Sequence, residues 1–265
     1  YLAYQLLFIF LATGTDATIA LIGGADITAN FRPGTMAISI GMLLSALAMT
    51  WHLVHFHYVK FNKESMYEVS KKIILLCIPL LLSAQFIAGI LNEALDLTDT
   101  NQELFISMSH NIFGVLSIAI VVPILEEVLF RGAIEGHLLR KGWSPKWAIL
   151  VSALIFGIIH GNPAQIPFAF LIGLLFGWLY YRTGSLVPGI VGHIINNSFG
   201  AWTMFTATRE ELSQTTMETL GTTITYILLV LAIIVFIGMY LYLNKYLPKP
   251  TNIQVKAINE QDITI

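Results

Sequence analysis

An all-α bundle of about eight transmembrane helices is the fold this sequence predicts, and three observations predict it. Of its 265 residues, 56% are hydrophobic and only 11% charged, with a mean hydropathy of +0.74, whereas a soluble domain carries about 25% charged residues. Apolar stretches near the ~20 residues that a membrane-crossing helix needs recur along the whole chain. Lysines and arginines gather in alternate connections between those stretches, which is the asymmetry that orients membrane helices.

The stretches run over 1–23, 35–57, 71–91, 104–125, 146–160, 166–182, 185–206 and 222–246. Helix breakers separate them: Arg32-Pro33-Gly34 before the second, Gly142 and Pro145 before the fifth, Gly161 to Pro163 before the sixth and Gly184 before the seventh. The second stretch ends in His52, His55 and His57 beside Trp51 and Tyr58, a belt of the kind found at membrane surfaces rather than a metal site. Cys77 lies in the third, an apolar run, and reads as a small buried hydrophobe. As the single cysteine, it excludes an internal disulfide and a thiolate metal cage. The fourth stretch is expected to continue as helix through 126–140, although Gly132 and Gly136 weaken that extension by about 1 kcal/mol each. Interrupted at Gly161, the fifth is short. Gly173 and Gly177 in the sixth form a GxxxG, which reads as close helix packing. His110 and His137 have no evident partner. Residues 1–246 are expected to form one helical domain, and 247–265 a polar, disordered cytoplasmic tail.

With the N-terminus inside, one side receives Lys60, Lys63, Lys71, Lys72, Arg140, Lys141, Lys146 and Arg182, and then Lys245, Lys249 and Lys256. The other side receives only Arg32 and Arg209, and the loop 92–103 is acidic. Both termini are therefore expected to be cytoplasmic. A net charge of −2 with no basic block speaks against nucleic-acid binding.

Inside this apolar frame, Glu126-Glu127-Val128-Leu129-Phe130-Arg131 is out of place. A charge at the bilayer centre costs roughly 2.5–3.5 kcal/mol on insertion scales, so these groups must pair, meet water or do chemistry. Glu127 and Arg131, at i and i+4, share a helix face, and Glu126 is turned about 100° away from them. Glu127 is thus expected to pair with Arg131, and Glu126 to point elsewhere. Glu135 lies one turn further along and can extend the Arg131 network. Pro123 cannot donate to the carbonyl of Ala119, which predicts a kink just before the acids. The plain alternative for Glu127 and Arg131 is an ion pair that holds helices together.

His160 closes the fifth stretch, four residues after Phe156, where a ring can hold a water or hand over a proton. His193 and Asn197, again at i and i+4, put an imidazole and an amide on one face. Two neutral donors so placed suit an oxyanion hole, or simply glue two helices. The chain has no His-Glu-x-x-His, no Gly-x-Ser-x-Gly and no membrane aspartate pair; Asp16 and Asp26 stand near the first loop.

Taken in order, Glu126-Glu127-x-x-x-Arg131, Phe156-x-x-x-His160 and His193-x-x-x-Asn197 resemble the three signature motifs of the CAAX-protease and bacteriocin-processing family, also called Abi, which includes the type-II CAAX prenyl endopeptidases. The match covers about 104–206. The resemblance implies an intramembrane endopeptidase with Glu126 activating water, His160 holding it, and His193 and Asn197 stabilising the oxyanion. Glu127 and Arg131 would support the site, Glu127 being sometimes given a more direct part. Members are commonly labelled metalloproteases. One zinc on Glu126, His160 and His193 is the alternative to a metal-free, glutamate-activated water, which is preferred here. Substrates on this reading are a peptide or membrane protein, such as a prenylated tail or a bacteriocin or pheromone precursor, in a prokaryotic plasma membrane. A non-proteolytic immunity or scaffold protein of the same family is the runner-up, and an ion-coupled transporter comes third.

Overall fold

The computed structural model describes residues 1–24, 32–59 and 69–247; Asp26, Lys60, Lys63, Lys249, Lys256 and all but the first residue of the expected tail lie outside the described residues. Among the described residues there are helices and no strand. They are α1 (Leu2–Ile22), α2 (Thr35–His55), α3 (Lys71–Ala94), α4 (Gln102–Ser109), α5 (Ile112–Arg140), α6 (Pro145–Ile159), α7 (Ile166–Thr183), α8 (Val187–Thr206), α9 (Arg209–Ser213), α10 (Thr216–Leu220) and α11 (Thr222–Tyr246).

Six of these, α1, α2, α3, α5, α7 and α11, are long and apolar enough to cross a membrane. α6 is a shorter apolar helix of 15 residues. α8 has 20 residues but is made more polar by His193, Asn196 and Asn197. These eight follow the eight expected stretches. α1 buries none of its residues and α11 only Thr225 and Leu243, so both show apolar flanks outward, as lipid-facing helices do. α5 runs through the interior, where Leu125, Val128 and Phe130 pack with Leu53 of α2 and Phe156 of α6.

One boundary and one helix differ from expectation. The stretch starting at 104 is broken between α4 and α5, because Asn111 caps α5 by accepting the Gly114 N–H at 2.7 Å. Gly114 then lies so close to the backbone of Met108 that any side chain would collide with it. Nor is α5 a regular α-helix. Wider π turns at Ser117–Val121 and Val128–Glu135 flank the segment Val122–Glu127, and such turns are frequent at functional sites. Just ahead of Pro123, where a kink was expected, α5 changes from π to α pitch.

The helix ends sort into two sets. At one end Arg182 binds the Asn244 side chain and donates to the carbonyls of Asn244 (2.9 Å) and Leu247 (3.0 Å), tying α7 to α11. Lys72 of α3 lines a small cleft with Tyr246 at that end. At the opposite end Glu103 pairs with Arg209, and Glu93 accepts from the Thr216 N–H at 3.0 Å. α9 and α10 each begin with a capping box, Thr208 with Glu211 and Thr215 with Glu218. Neither short helix was expected from the sequence.

Candidate active site

The structure brings four ionisable side chains from two helices together in the interior. Glu126, Glu127 and Arg131 come from α5, with Glu126 midway between Ile112 and Arg140, and His193 comes from α8. Arg131 Nη1 donates to Glu127 Oε1 at 2.9 Å, both side chains being 1% exposed. The same oxygen lies 3.1 Å from His193 Nδ1, and His193 Nε2 faces Glu126 Oε2 at 3.5 Å. The imidazole is thus clasped between two carboxylates. A carboxylate already paired with arginine only accepts, so the hydrogen-bond network assigns a proton to Nδ1. Nε2 is the nitrogen left to deal with Glu126.

Arg131 is held on its other sides as well. Its Nη2 donates to the Gly173 carbonyl at 3.1 Å, and its guanidinium lies over the rings of Phe156 (4.4 Å) and Phe176 (5.3 Å), a cation–π arrangement that strengthens when water is excluded. The GxxxG packs closely, as its spacing implies, with Gly173 against Ala153 and Gly177 against Ile149 of α6, and its glycines also face buried charged side chains of α5. A Cβ on Gly173 would stand 3.0 Å from the Phe156 ring and 3.2 Å from Arg131 Nη2, and one on Gly177 would stand 2.6 Å from Glu135 Oε2.

Phe156, visible in the sequence only as a motif position, is the hub of the site. Its ring meets Phe130 at 5.0 Å, His160 at 4.9 Å and His193 at 5.8 Å. His160 stands at the end of α6 with Nδ1 on the Phe156 carbonyl at 2.7 Å, which directs Nε2 away from the backbone. Among the described residues it makes no hydrogen bond to Glu126 or His193; the Phe156 ring joins them. The segment carrying His160 is fixed by Asn162, fully buried, whose Oδ1 accepts from the Thr100 N–H at 3.1 Å and whose Nδ2 donates to Asp99 at 2.7 Å. Sequence reasoning missed Asn162, because its partners lie some sixty residues upstream.

Asn197 is spent partly on structure. In a π turn the carbonyl of residue i pairs with the N–H of residue i+5, as Ser117 does with Val122. Five residues after Ile118 comes Pro123, which has no N–H. The Ile118 carbonyl is left over, and Asn197 Nδ2 takes it at 2.9 Å. Asn197 Oδ1 accepts from Asn196 Nδ2 at 3.0 Å. One Asn197 N–H remains for other use.

Among the described residues no group of three or more His, Cys, Asp or Glu side chains is gathered to hold a metal ion. Glu126, His160 and His193 therefore do not form the zinc set that the resemblance allowed, and no step below passes through a metal. His52 bonds the Tyr4 hydroxyl at 2.9 Å and stacks with Tyr58, while His55 stacks on Trp51. His110 bonds the Ile106 carbonyl.

Residues 108–199, which hold Glu126, Glu127, Arg131, His160, His193 and Asn197, match the family described as Type II CAAX prenyl endopeptidase Rce1-like. The chain is 38% identical over 81 residues to the "Putative membrane peptidase YdiL" of Bacillus subtilis (strain 168), a stretch of 31% of this chain and 33% of that protein. It is 33% identical over 106 residues to the "Membrane-embedded CAAX protease MroQ" of Staphylococcus aureus (strain USA300), covering 38% and 42%. With the "UPF0177 protein YxdF" of Lactococcus lactis subsp. lactis (strain IL1403) it shares 28% identity over 122 residues, covering 46% and 63%. The chain thus spans less than two thirds of the length of each of these relatives. No solved structure matches it. The chain is a multi-pass membrane protein on the evidence of its helices, and through residues 108–199 it is similar to the Rce1-like type II CAAX prenyl endopeptidases.

Proposed function

We propose that this chain is an intramembrane endopeptidase that hydrolyses a peptide bond with a water activated by Glu126. The observation that carries this reading is the clasp on His193, with Glu127 on Nδ1 and Glu126 beside Nε2. Glu127, neutralised by Arg131, fixes the ring and its tautomer. Glu126 has no arginine of its own and is the carboxylate free to accept a proton. On this reading Glu126 takes a proton from water as the water oxygen attacks the scissile carbonyl carbon. The spare N–H of Asn197 meets the oxyanion, and His193 can join it there only with a proton on Nε2 as well as on Nδ1. When the C–N bond breaks, Glu126 returns the proton to the leaving amine. His160 Nε2, turned away from the backbone, is the acceptor that holds the attacking water.

The substrate is a peptide or membrane protein reached from within the bilayer, and a prenylated tail or a bacteriocin or pheromone precursor fits that description. Residues 1–246 act as one helical domain in a prokaryotic plasma membrane. The helix ends bearing Lys72, Arg182 and Lys245 face the cytoplasm, which puts both termini there.

The test compares peptides released by membranes carrying wild type or Glu126→Gln. Fragments present only with wild type are the expected outcome. Equal fragments from both would overturn the reading and leave a non-proteolytic immunity or scaffold role.

A further inference from the structure

Glu135 is a buried acid of α5 that no step above uses. It is 0% exposed, and neither carboxylate oxygen has a hydrogen-bond partner. One turn earlier on the same helix, Arg131 is equally buried, and its Nε likewise has no partner. A stranded donor and a stranded acceptor pair therefore face the same interior strip at i and i+4. Leaving such groups unpaired is the most expensive way to bury them. The strip is kept open from α7, where a Cβ on Gly177 would lie 2.6 Å from Glu135 Oε2. A glycine inside a helix is itself unfavourable, so the space is made for the carboxylate.

We propose that Glu135 is a positioning residue for the reaction, its carboxylate linked to Arg131 Nε through one bound water. A water there has the polar partners that buried waters require. The link holds the guanidinium side-on, with Nη2 on the Gly173 carbonyl and only Nη1 reaching Glu127. Without it, the arginine fork is free to close on Glu127 with two N–H groups, the geometry that guanidinium and carboxylate favour. Glu127 Oε1 would then be drawn away from His193 Nδ1, and the imidazole would lose the contact that sets its tautomer. Glu135 thus tunes the Arg131–Glu127 pair to stay loose enough to serve His193.

The catalytic part of this inference rests on the proteolytic reading; the positioning part does not. Glu135→Gln keeps the shape and a neutral hydrogen-bonding group, so a merely structural Glu135 would tolerate it. In protein carrying 15N-histidine in detergent micelles, the Nδ1–H proton of His193 is identified by its loss in His193→Gln. Glu135→Gln is expected to shift or abolish that resonance, and to change nothing further in an Arg131→Lys background, where the fork is gone. An unmoved resonance overturns the proposal, as does an equal effect in both backgrounds. On a fluorogenic peptide with a farnesylated tail, Glu135→Gln is expected to lower kcat by up to about a hundredfold, the scale of small misplacements, with KM within about twofold. A shifted resonance with wild-type kcat also overturns it. If wild type cleaves nothing, the proteolytic reading falls while the resonance still decides the role of Glu135.

Discussion

Gly189 of α8 lies against Glu127 so closely that a Cβ there would stand 2.6 Å from Oε2, an oxygen with no hydrogen-bond partner. The glycine sets how far the carboxylate can retreat from Arg131 and His193. Gly189→Ala is expected to push Glu127 out of place, with an overpacking cost of about 1–3 kcal/mol. Thermal unfolding in detergent should fall and peptide release should drop with it. An unchanged Tm together with full cleavage would contradict the contact.

Arg131 and Glu127 are both buried, so removing one partner strands the other. Arg131→Met is expected to destabilise by about 3–5 kcal/mol, while the double variant Arg131→Met, Glu127→Gln should lose less than the two single losses combined. Comparing the unfolding of the four proteins checks this. Additive losses would show that the pair contributes nothing as a pair.

Asn162 ties the turn after α6 to Asp99 and Thr100. Asn162→Ala should cost about 1–3 kcal/mol locally, since it leaves buried groups unpaired. Amide hydrogen exchange should rise in residues 97–101 and 160–165 and stay level in α3 and α11. The same variant should slow cleavage through His160 without altering the Glu127–His193 contact. Unchanged exchange around Gly161 would show that the tether is dispensable.

The exposed carboxyls of Glu211 and Glu218 are held below the usual range, first by the backbone N–H groups of Thr208 and Thr215 and then by their hydroxyls. Depressed acids stabilise the fold above the unfolded carboxylate value of about 4.3, and that contribution fades as pH falls through the lower folded value. α9 and α10 should therefore loosen under acid. Exchange protection of residues 209–220, corrected for intrinsic rates, should be lower at pH 3 than at pH 6. Equal protection at both would show that the caps do not depend on charge.

Much of the architecture was legible because membrane helices announce themselves locally. Arg32-Pro33-Gly34, Gly161 and Gly184 mark real ends, and the spacing of Glu127 and Arg131 implies the pairing seen. What stayed hidden depends on relations between helices. Nothing near Phe156 reveals that one ring will touch Arg131, His160 and His193 together. Gly173 and Gly177 have the spacing of a helix-packing motif, and only the neighbouring α5 shows that they shelter charge. The π turns of α5 were equally invisible; α2 packs against both of them, α8 against the first and α6 against the second. His160 carries a recognisable spacing, yet an aromatic ring stands between it and both His193 and Arg131.

Pro123 creates a debt on Ile118 that Asn197, 79 positions further along the chain, settles. The two residues consequently act as one structural unit. Pro123→Ala would hand Ile118 a main-chain donor and set the amide loose, while Asn197→Ala would strand an acceptor in hydrocarbon. Grafts that replace α8 should therefore keep Pro123 and Asn197 together, or they will assemble with a misdirected amide at the edge of the candidate site.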